Sequence, residues 1–304
     1  TSCSQGCNIS LHTRDNAVQR LKPRENLEVN AFWMCDEGRA NYEWMNRSDR
    51  IEAPLVRRGE RLEASDWRQA LDGLAEALRA QDGPVTVIAS PDACNEDLGM
   101  LAGLMATLGG GKGVFRLPMA PDEDVLKGFP GLARRRELAP NATGAQALGF
   151  ERVGDDQASG GLADVSEAGG TLIVLGDALT DQAADFGASS GLFVYLGTHG
   201  SPAVEGAHFV LPTTTVAEQE GTFTNLDGRV QRFWPALQPP GMSRPAWLVL
   251  GALNAVLTEG EVPTNAARAF AQVVQSVPAF SGLDYDTIGT RGALIAEPAQ
   301  LAGD

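Results

Sequence analysis

Four cysteines occur in this 304-residue chain, and three of them, Cys3, Cys7 and Cys35, stand within its first 35 residues. Sulfur crowded in this way suits ligation of a soft metal by thiolates. A disulfide framework is the competing use, but it belongs to small secreted domains with even cysteine sets, and no basic-then-apolar leader is visible here. Cys3-Ser-Gln-Gly-Cys7 supplies one edge of a site, and Cys35 returns to close it after an excursion expected to be of strands. Gly6 lets the backbone wrap tightly and aim amides at sulfur, which tunes the potential of a cluster. Three thiolates are one short of a structural zinc site, which takes four ligands at C-x2-4-C spacing. They are also one short of a cubane iron–sulfur cluster. A C-x2-C-x3-C start would put the missing cysteine just before Thr1. His12 is the alternative fourth ligand, but Asn8-Ile-Ser-Leu-His-Thr-Arg14 alternates as a strand does, which favours a surface histidine.

Other reactive-looking groups lose their chemistry on inspection. Gly109-Gly-Gly-Lys-Gly113 evokes a phosphate loop, yet that loop needs Ser or Thr after its lysine to hold magnesium, and Gly113 stands there. Asn8, Asn46 and Asn141 begin chance matches to the glycosylation pattern. His199 and His208 fall at expected strand ends with no nucleophile beside them. Cys94, in Ser90-Pro-Asp-Ala-Cys-Asn-Glu96, opens a helix whose dipole can lower a thiol's pKa, although packing is the commoner role.

The elements that must hold the thiols follow from pattern. Ser65 is expected to cap a helix in which Trp67, Ala70, Leu71, Leu74, Ala75 and Leu78 repeat at helical spacing. Gly83-Pro84 stops it, Val85–Ala89 reads as a buried strand, and a second helix spans Glu96–Leu108. Residues 109–165 lack a period and are expected to be an irregular connection. Thr171–Leu175 and Leu192–Leu196 read as strands bracketing a helical stretch, and His208–Leu211 as a third strand. Ser243 with Pro245 starts a helix through Leu257, and Thr264 or Asn265 caps another across Ala266–Val277. Strands alternating with helices predict an α/β core with a parallel sheet.

Composition narrows the function classes. With 39 acidic residues against 24 Lys plus Arg, the net charge of −15 disfavours nucleic-acid phosphates and anionic membranes as partners. The longest apolar stretches, Leu98–Leu108 and Trp247–Leu257, fall short of the ~20 residues a membrane span needs, so no direct membrane insertion is expected. A hydrophobic fraction of 43% is that of a globular protein.

Two stretches carry a resemblance. Cys3-x3-Cys7-Asn8-Ile9, Arg20-Leu-Lys-Pro-Arg-Glu-Asn26, Val29-Asn30, Trp33-Met-Cys-Asp-Glu-Gly-Arg39 and Tyr42 form the first. Val210-Leu-Pro-Thr-Thr-Thr-Val-Ala-Glu-Gln-Glu-Gly-Thr-Phe-Thr-Asn225, with Asp227-Gly-Arg-Val-Gln231, form the second. Together they resemble the large iron–sulfur subunit, the G subunit, of NADH-quinone oxidoreductase (respiratory complex I), within the molybdopterin oxidoreductase superfamily.

The resemblance implies a β-rich iron–sulfur segment over 1–57, a shortened molybdopterin-oxidoreductase-like α/β core over 58–235, and a helical extension over 236–304. It implies a 4Fe-4S cluster on Cys3, Cys7 and Cys35, with other peripheral-arm subunits of complex I as partners, on the cytoplasmic side of a bacterial inner membrane. The chain itself would be a scaffold with an auxiliary centre, NADH oxidation and quinone reduction lying on other subunits. Catalytic relatives place a lysine where Glu37 stands, and a carboxylate there repels an anionic pterin pyrophosphate. They also place a molybdenum ligand after the helix that corresponds to Glu96–Leu108, and Gly109–Met119 supplies none. The expectation is therefore no molybdopterin and a lost pocket. The alternatives are a fragment of a formate dehydrogenase-like molybdopterin enzyme, and a structural module with zinc or no metal.

Overall fold

The computed structural model describes residues 2–129, 131–154, 162, 169–176, 179 and 181–296. The chain opens with a hairpin, β1 (Ile9–Arg14) and β2 (Ala17–Pro23), and a short helix α1 (Asp36–Ala40). Asp15 and Asn16, both at positive φ, make its turn, as these two residue types tolerate. Next come β3 (Leu55–Arg58), β4 (Arg61–Ala64), α2 (Trp67–Arg79), β5 (Val85–Ala89), α3 (Asn95–Thr107) and β6 (Lys112–Phe115). A small ribbon, β7 (Asp124–Val125) with β8 (Ala133–Arg134), precedes α4 (Ala142–Ala147) and β9 (Glu151–Arg152). Then follow β10 (Thr171–Leu175), β11 (Leu192–Gly197), β12 (Phe209–Pro212), β13 (Gly221–Thr224) and β14 (Arg229–Phe233). The last elements are α5 (Ala246–Thr258), α6 (Ala266–Ser276), α7 (Tyr285–Ile288) and β15 (Ala293–Leu294).

The main sheet runs β4-β3-β12-β11-β10-β5-β6-β9. Its six central and far strands are parallel, and β3 and β4 add an antiparallel edge. Numbered along the chain, the parallel strands stand in the order 3-2-1-4-5-6, a doubly wound sheet whose direction of winding reverses between β5 and β10. β5 and β10 are buried along their whole length because both faces are covered. Val87, Ile173, Leu175 and Val194 join the layer with α2, α3, α5 and α6, while Ile88, Leu172, Val174 and Phe193 fill the opposite layer.

Several expectations hold and three need correction. Strands β5, β10, β11 and β12 and helices α3, α5 and α6 fall where periodicity put them, and Asn265 caps α6 by accepting from the Arg268 amide. Asp66, not Ser65, caps α2, its carboxylate accepting from the Gln69 amide, while Ser65 Oγ is buried without a hydrogen bond. Residues 109–165 are not an irregular connection: β6 and β9 pair there as sheet strands, with α4 between. Their brevity hid them; within that stretch 130, 155–161 and 163–165 lie outside the described residues. The described part of the segment between β10 and β11 is built of turns, not helix, and 177, 178 and 180 lie outside the described residues.

Candidate metal centre and the cleft beside it

Cys3, Cys7 and Cys35 line one small cavity with Ile9, Met34 and Gly38. The hairpin β1–β2 is the excursion that separates the close pair from the distant thiol. Cys35 caps α1, its sulfur accepting from the Gly38 amide at 3.3 Å. Burial, then the neighbouring Cys3 sulfur, push the Cys7 thiol up to about 12, with Cys35 adding to the shift. The Cys7 thiol holds its proton until a cation draws it off, which is the linkage expected of a metal ligand. Among the described residues no three such groups converge closely enough to share one ion. Tetrahedral zinc with bonds of about 2.3 Å needs that convergence. An iron–sulfur cage takes each thiolate on a different iron and spreads them wider, so the set fits a cluster better than a single ion.

The sulfur loops are held from far along the chain. Gly6, at φ +66°, sits so close to the end of the β13–β14 hairpin that a Cβ would lie 2.7 Å from Asn225 Cβ and 2.8 Å from Gln231 Oε1. Gln231 donates to the Gly6 carbonyl at 2.8 Å, Asn225 donates to the Gln5 carbonyl at 3.3 Å, and the Leu226 amide donates to the Ser4 carbonyl at 2.9 Å. Arg135 reaches Gln5 Oε1 at 2.6 Å, and Gln5 donates onward to the Val29 carbonyl. Fully buried Asn30 accepts from the Asn8 amide at 2.9 Å and donates to the Trp33 carbonyl at 2.9 Å, tying the Cys7 loop to the Cys35 loop. Asn225 and Gln231 belong to the second of the two resembling stretches, and nothing in its pattern showed that it positions the cysteine loop. Asn26 and Asn30 inside the cysteine segment were the available signal. His12 pairs with Arg20 on the hairpin surface and stands apart from the thiols.

A second buried network joins α3 to the hairpin β13–β14. Glu96 accepts from Thr222 N at 2.8 Å, Thr222 Oγ1 at 2.9 Å and Tyr285 Oη at 2.8 Å. Burial, outweighing those donors, pushes its carboxyl up to about 7. Asp97 accepts from Gln219 at 3.0 Å and from the Trp247 amide at 2.8 Å, fastening the start of α5. Cys94 is fully buried, and burial with Asp97 and Glu96 beside it raises its thiol. Burial first, and the two acidic neighbours after it, outweigh the helix dipole, so Cys94 is packing. Arg50 and Glu218 form a buried pair at 2.8 and 2.9 Å, and Arg50 also donates to the Thr198 and Thr213 carbonyls. This staple ties the loops after β11 and β12 together.

A cleft of about 630 Å³ opens at the carboxyl edge of the sheet, and Ser2 borders both it and the thiol cavity. Residues after β5, β6, β10, β11 and β12 line it, along with Glu37, Asn41 and Trp44 from the Cys35 side. The expected loss of a pocket is thus corrected, because the six parallel strands suffice to form a crevice at their reversal point. The cation among its described lining residues, Arg116, is committed to Asp181 at 2.6 Å, and Glu37 pairs with Arg134 at 3.1 Å. Gly109–Gly111, the false phosphate loop, turn α3 into β6 at positive φ, at the amino end of that strand and away from the cleft.

A doubly wound sheet of this order with a thiol-lined cavity at its side is an α/β core that carries a candidate metal centre. Comparison with known families agrees. Residues 4–43 match the NADH-ubiquinone oxidoreductase NDSU1/NuoG-like 4Fe-4S domain, and residues 143–256 match the molybdopterin oxidoreductase family. NADH-quinone oxidoreductase subunit 3 of Thermus thermophilus is 38% identical over 105 residues, covering 34% of this chain and 13% of that protein. The NADH-quinone oxidoreductase G subunits of Pseudomonas fluorescens and Escherichia coli are 42% and 40% identical, each over 94 residues, 31% of this chain and 10% of theirs. The chain thus resembles the large iron–sulfur subunit of NADH-quinone oxidoreductase, and the aligned part spans about a tenth of those relatives' length.

Proposed function

We propose that this chain is an iron–sulfur-bearing scaffold in the peripheral arm of an NADH:quinone oxidoreductase, with Cys3, Cys7 and Cys35 as ligands of a 4Fe-4S cluster. Such a cluster needs a fourth ligand beyond these three. The observation that carries the reading is the gathering of Cys7 and Cys35, from the two ends of the matched 4Fe-4S segment, with Cys3, just ahead of that segment, into one cavity. When bound, such a cluster takes up and releases single electrons. The protein holds the two cysteine loops in register through Asn30, Gln5 and Gln231, half-buries Cys7, and supplies the Gly38 amide to the Cys35 sulfur. Other peripheral-arm subunits would be its partners, and NADH oxidation and quinone reduction would lie on them. No helix among the described residues is long and apolar enough to cross a membrane; peripheral attachment on the cytoplasmic face is part of the same proposal.

The division at 57 and 235 is part of the same proposal. The first 57 residues carry the thiols, while α5 and α6, beyond 235, share the core of α2 and α3. The segment after 235 would then complete the α/β body.

The residues present do not fit a molybdopterin. Glu37 and Asp92 face the cleft, the first turn of α3 carries Glu96 and Asp97, and Arg116 is held by Asp181. An anionic pyrophosphate would meet carboxylates where it needs free cations. The test is affinity purification from membranes through a tag on the full-length protein. The proposal predicts recovery of NADH:quinone oxidoreductase activity and of NADH-binding and iron–sulfur subunits. Recovery of a pterin-bearing formate dehydrogenase activity would replace it with the alternative.

A further inference from the structure

One short stretch of the α/β body reaches both sulfur loops. After β8 the chain runs on through Arg135, Arg136 and Glu137, and it is pinned from behind. The Ala120 amide donates to the Arg136 carbonyl at 2.7 Å, and the Leu138 amide donates to the Pro118 carbonyl at 2.9 Å. From this rail two successive arginines take hold of one cysteine loop each. Arg134 pairs with Glu37, two residues beyond Cys35, at 3.1 Å. Arg135 donates from Nε to Gln5 Oε1 at 2.6 Å, and Gln5 lies between Cys3 and Cys7. The Ser4 amide adds a bond to the Glu137 carbonyl at 3.0 Å. Residues 134 to 137 thus help to set the spacing between the close pair of thiols and the distant one.

The two arginines differ in what neutralises them. Arg134 meets a carboxylate, so that pair brings little net charge. The close partner of Arg135 is a neutral amide. Gln5 is buried, and it passes the bond on by donating to the Val29 carbonyl at 2.9 Å. Among the described residues the carboxylate paired with Arg135 is Glu123, at 3.5 Å on an exposed side chain. Arg135 therefore carries a partly uncompensated positive charge to the Cys3–Cys7 turn. Reducing an iron–sulfur cluster adds a negative charge, and its potential follows the charges and hydrogen bonds around it. Covalent reach through Gln5 keeps the guanidinium within roughly 15 Å of Cys3 and Cys7. At that distance and an effective dielectric of about 20, one unit charge shifts a one-electron equilibrium about sixfold. Solvent around the Arg135 side chain, which is 24% exposed, cuts this to about threefold. We propose that Arg135 is a positioning residue of the thiol site, fixing the Cys3–Cys7 turn through Gln5 and by its charge making the bound cluster easier to reduce, a role that rests on the cluster assignment above.

The test is a mediated redox titration of the full-length protein, purified without oxygen and read by EPR of the reduced cluster. The signal that belongs to this site is the one lost in Cys35→Ser. Arg135→Met should lower the ratio of reduced to oxidised cluster at the parent's midpoint about threefold. Arg135→Lys, which keeps the charge, should hold that ratio near the parental value. Glu123→Gln, which removes the opposing charge at an exposed position, should raise it, and this arm decides the matter if Arg135→Met fails to hold its cluster. A purely structural Arg135 predicts iron loss in the Met and Lys variants alike and no rise in Glu123→Gln. The proposal is overturned if Glu123→Gln titrates as the parent does, or if Arg135→Lys falls as far as Arg135→Met. Those results, with the Cys35-dependent signal present in the parent, would leave the cluster assignment standing, whereas a parent without that signal would overturn both.

Discussion

Gly6→Ala separates what the cysteine loop needs from what any left-handed residue needs. Gly6 and Gly59 have nearly the same backbone, φ +66° and +63°, but a Cβ at Gly59 meets nothing within 4 Å. Alanine in the left-handed region costs roughly 1–2 kcal/mol, offset by about 0.4–1 kcal/mol from restricting the unfolded chain. Gly59→Ala should therefore lose about 1 kcal/mol. At Gly6 the added methyl also meets Asn225 Cβ at 2.7 Å and Gln231 Oε1 at 2.8 Å. The Gln231 amide can swing aside, although that breaks its bond to the Gly6 carbonyl. Asn225 cannot, because its Oδ1 accepts from both the Asp227 and Arg229 amides. Forced overpacking of this kind costs about 1–3 kcal/mol more, so Gly6→Ala should fall about 2 kcal/mol below Gly59→Ala. At about 2 °C per kcal/mol for a large chain, that is a Tm roughly 4 °C lower. Iron bound per chain should drop in Gly6→Ala and stay at the parental level in Gly59→Ala. Equal Tm shifts and equal iron in the two variants would refute the claim that the β13–β14 hairpin buttresses the sulfur loop.

Two further outcomes follow from buried charge. Burial holds the Glu96 carboxyl at about 7 in the folded chain against an ordinary 4.5, so the folded state retains a proton that the unfolded state gives up between those values. The chain should lose stability as pH rises from 4.5 to 7, by roughly 3 kcal/mol in the limit, and urea midpoints of Glu96→Gln should lack most of that slope. An unchanged slope in the variant would show that Glu96 is not the group responsible. Arg50→Met leaves the buried Glu218 carboxylate unpaired and should cost about 3–5 kcal/mol, whereas Arg50→Met with Glu218→Leu should recover a large part. A double variant as unstable as the single one would mean the pair acts through something other than mutual neutralisation.

Legibility in the sequence followed length and locality. The five-residue strands β5 and β10 and the 13-residue helices α3 and α5 show in the text because burial on both faces, or along one stripe, leaves a long apolar pattern. The four-residue β6 and the two-residue β9 do not, since so few side chains carry no period, and with them went the 3-2-1-4-5-6 order that locates the cleft. Ser65 and Asp66 are both good caps, and only the backbone decides between neighbours. The cysteines stood out by spacing, but Asn225 and Gln231 lie over 200 residues away, and their grip on Gln5 and Gly6 is a tertiary fact that no local pattern contains. The doubt over Cys94 dissolved for a similar reason. Its helix start was readable, but the burial beside Glu96 and Asp97 that keeps the thiol protonated was not.

Iron held at Cys3, Cys7 and Cys35 is the central claim. Metal and acid-labile sulfide analysis of the full-length protein, purified without oxygen, tests it directly when Cys35→Ser is measured beside the parent. Near-equal iron and sulfide, with a loss of both and of the visible absorbance in the variant, is the predicted result. Stoichiometric zinc in place of iron, or iron and sulfide indifferent to Cys35→Ser, would contradict it.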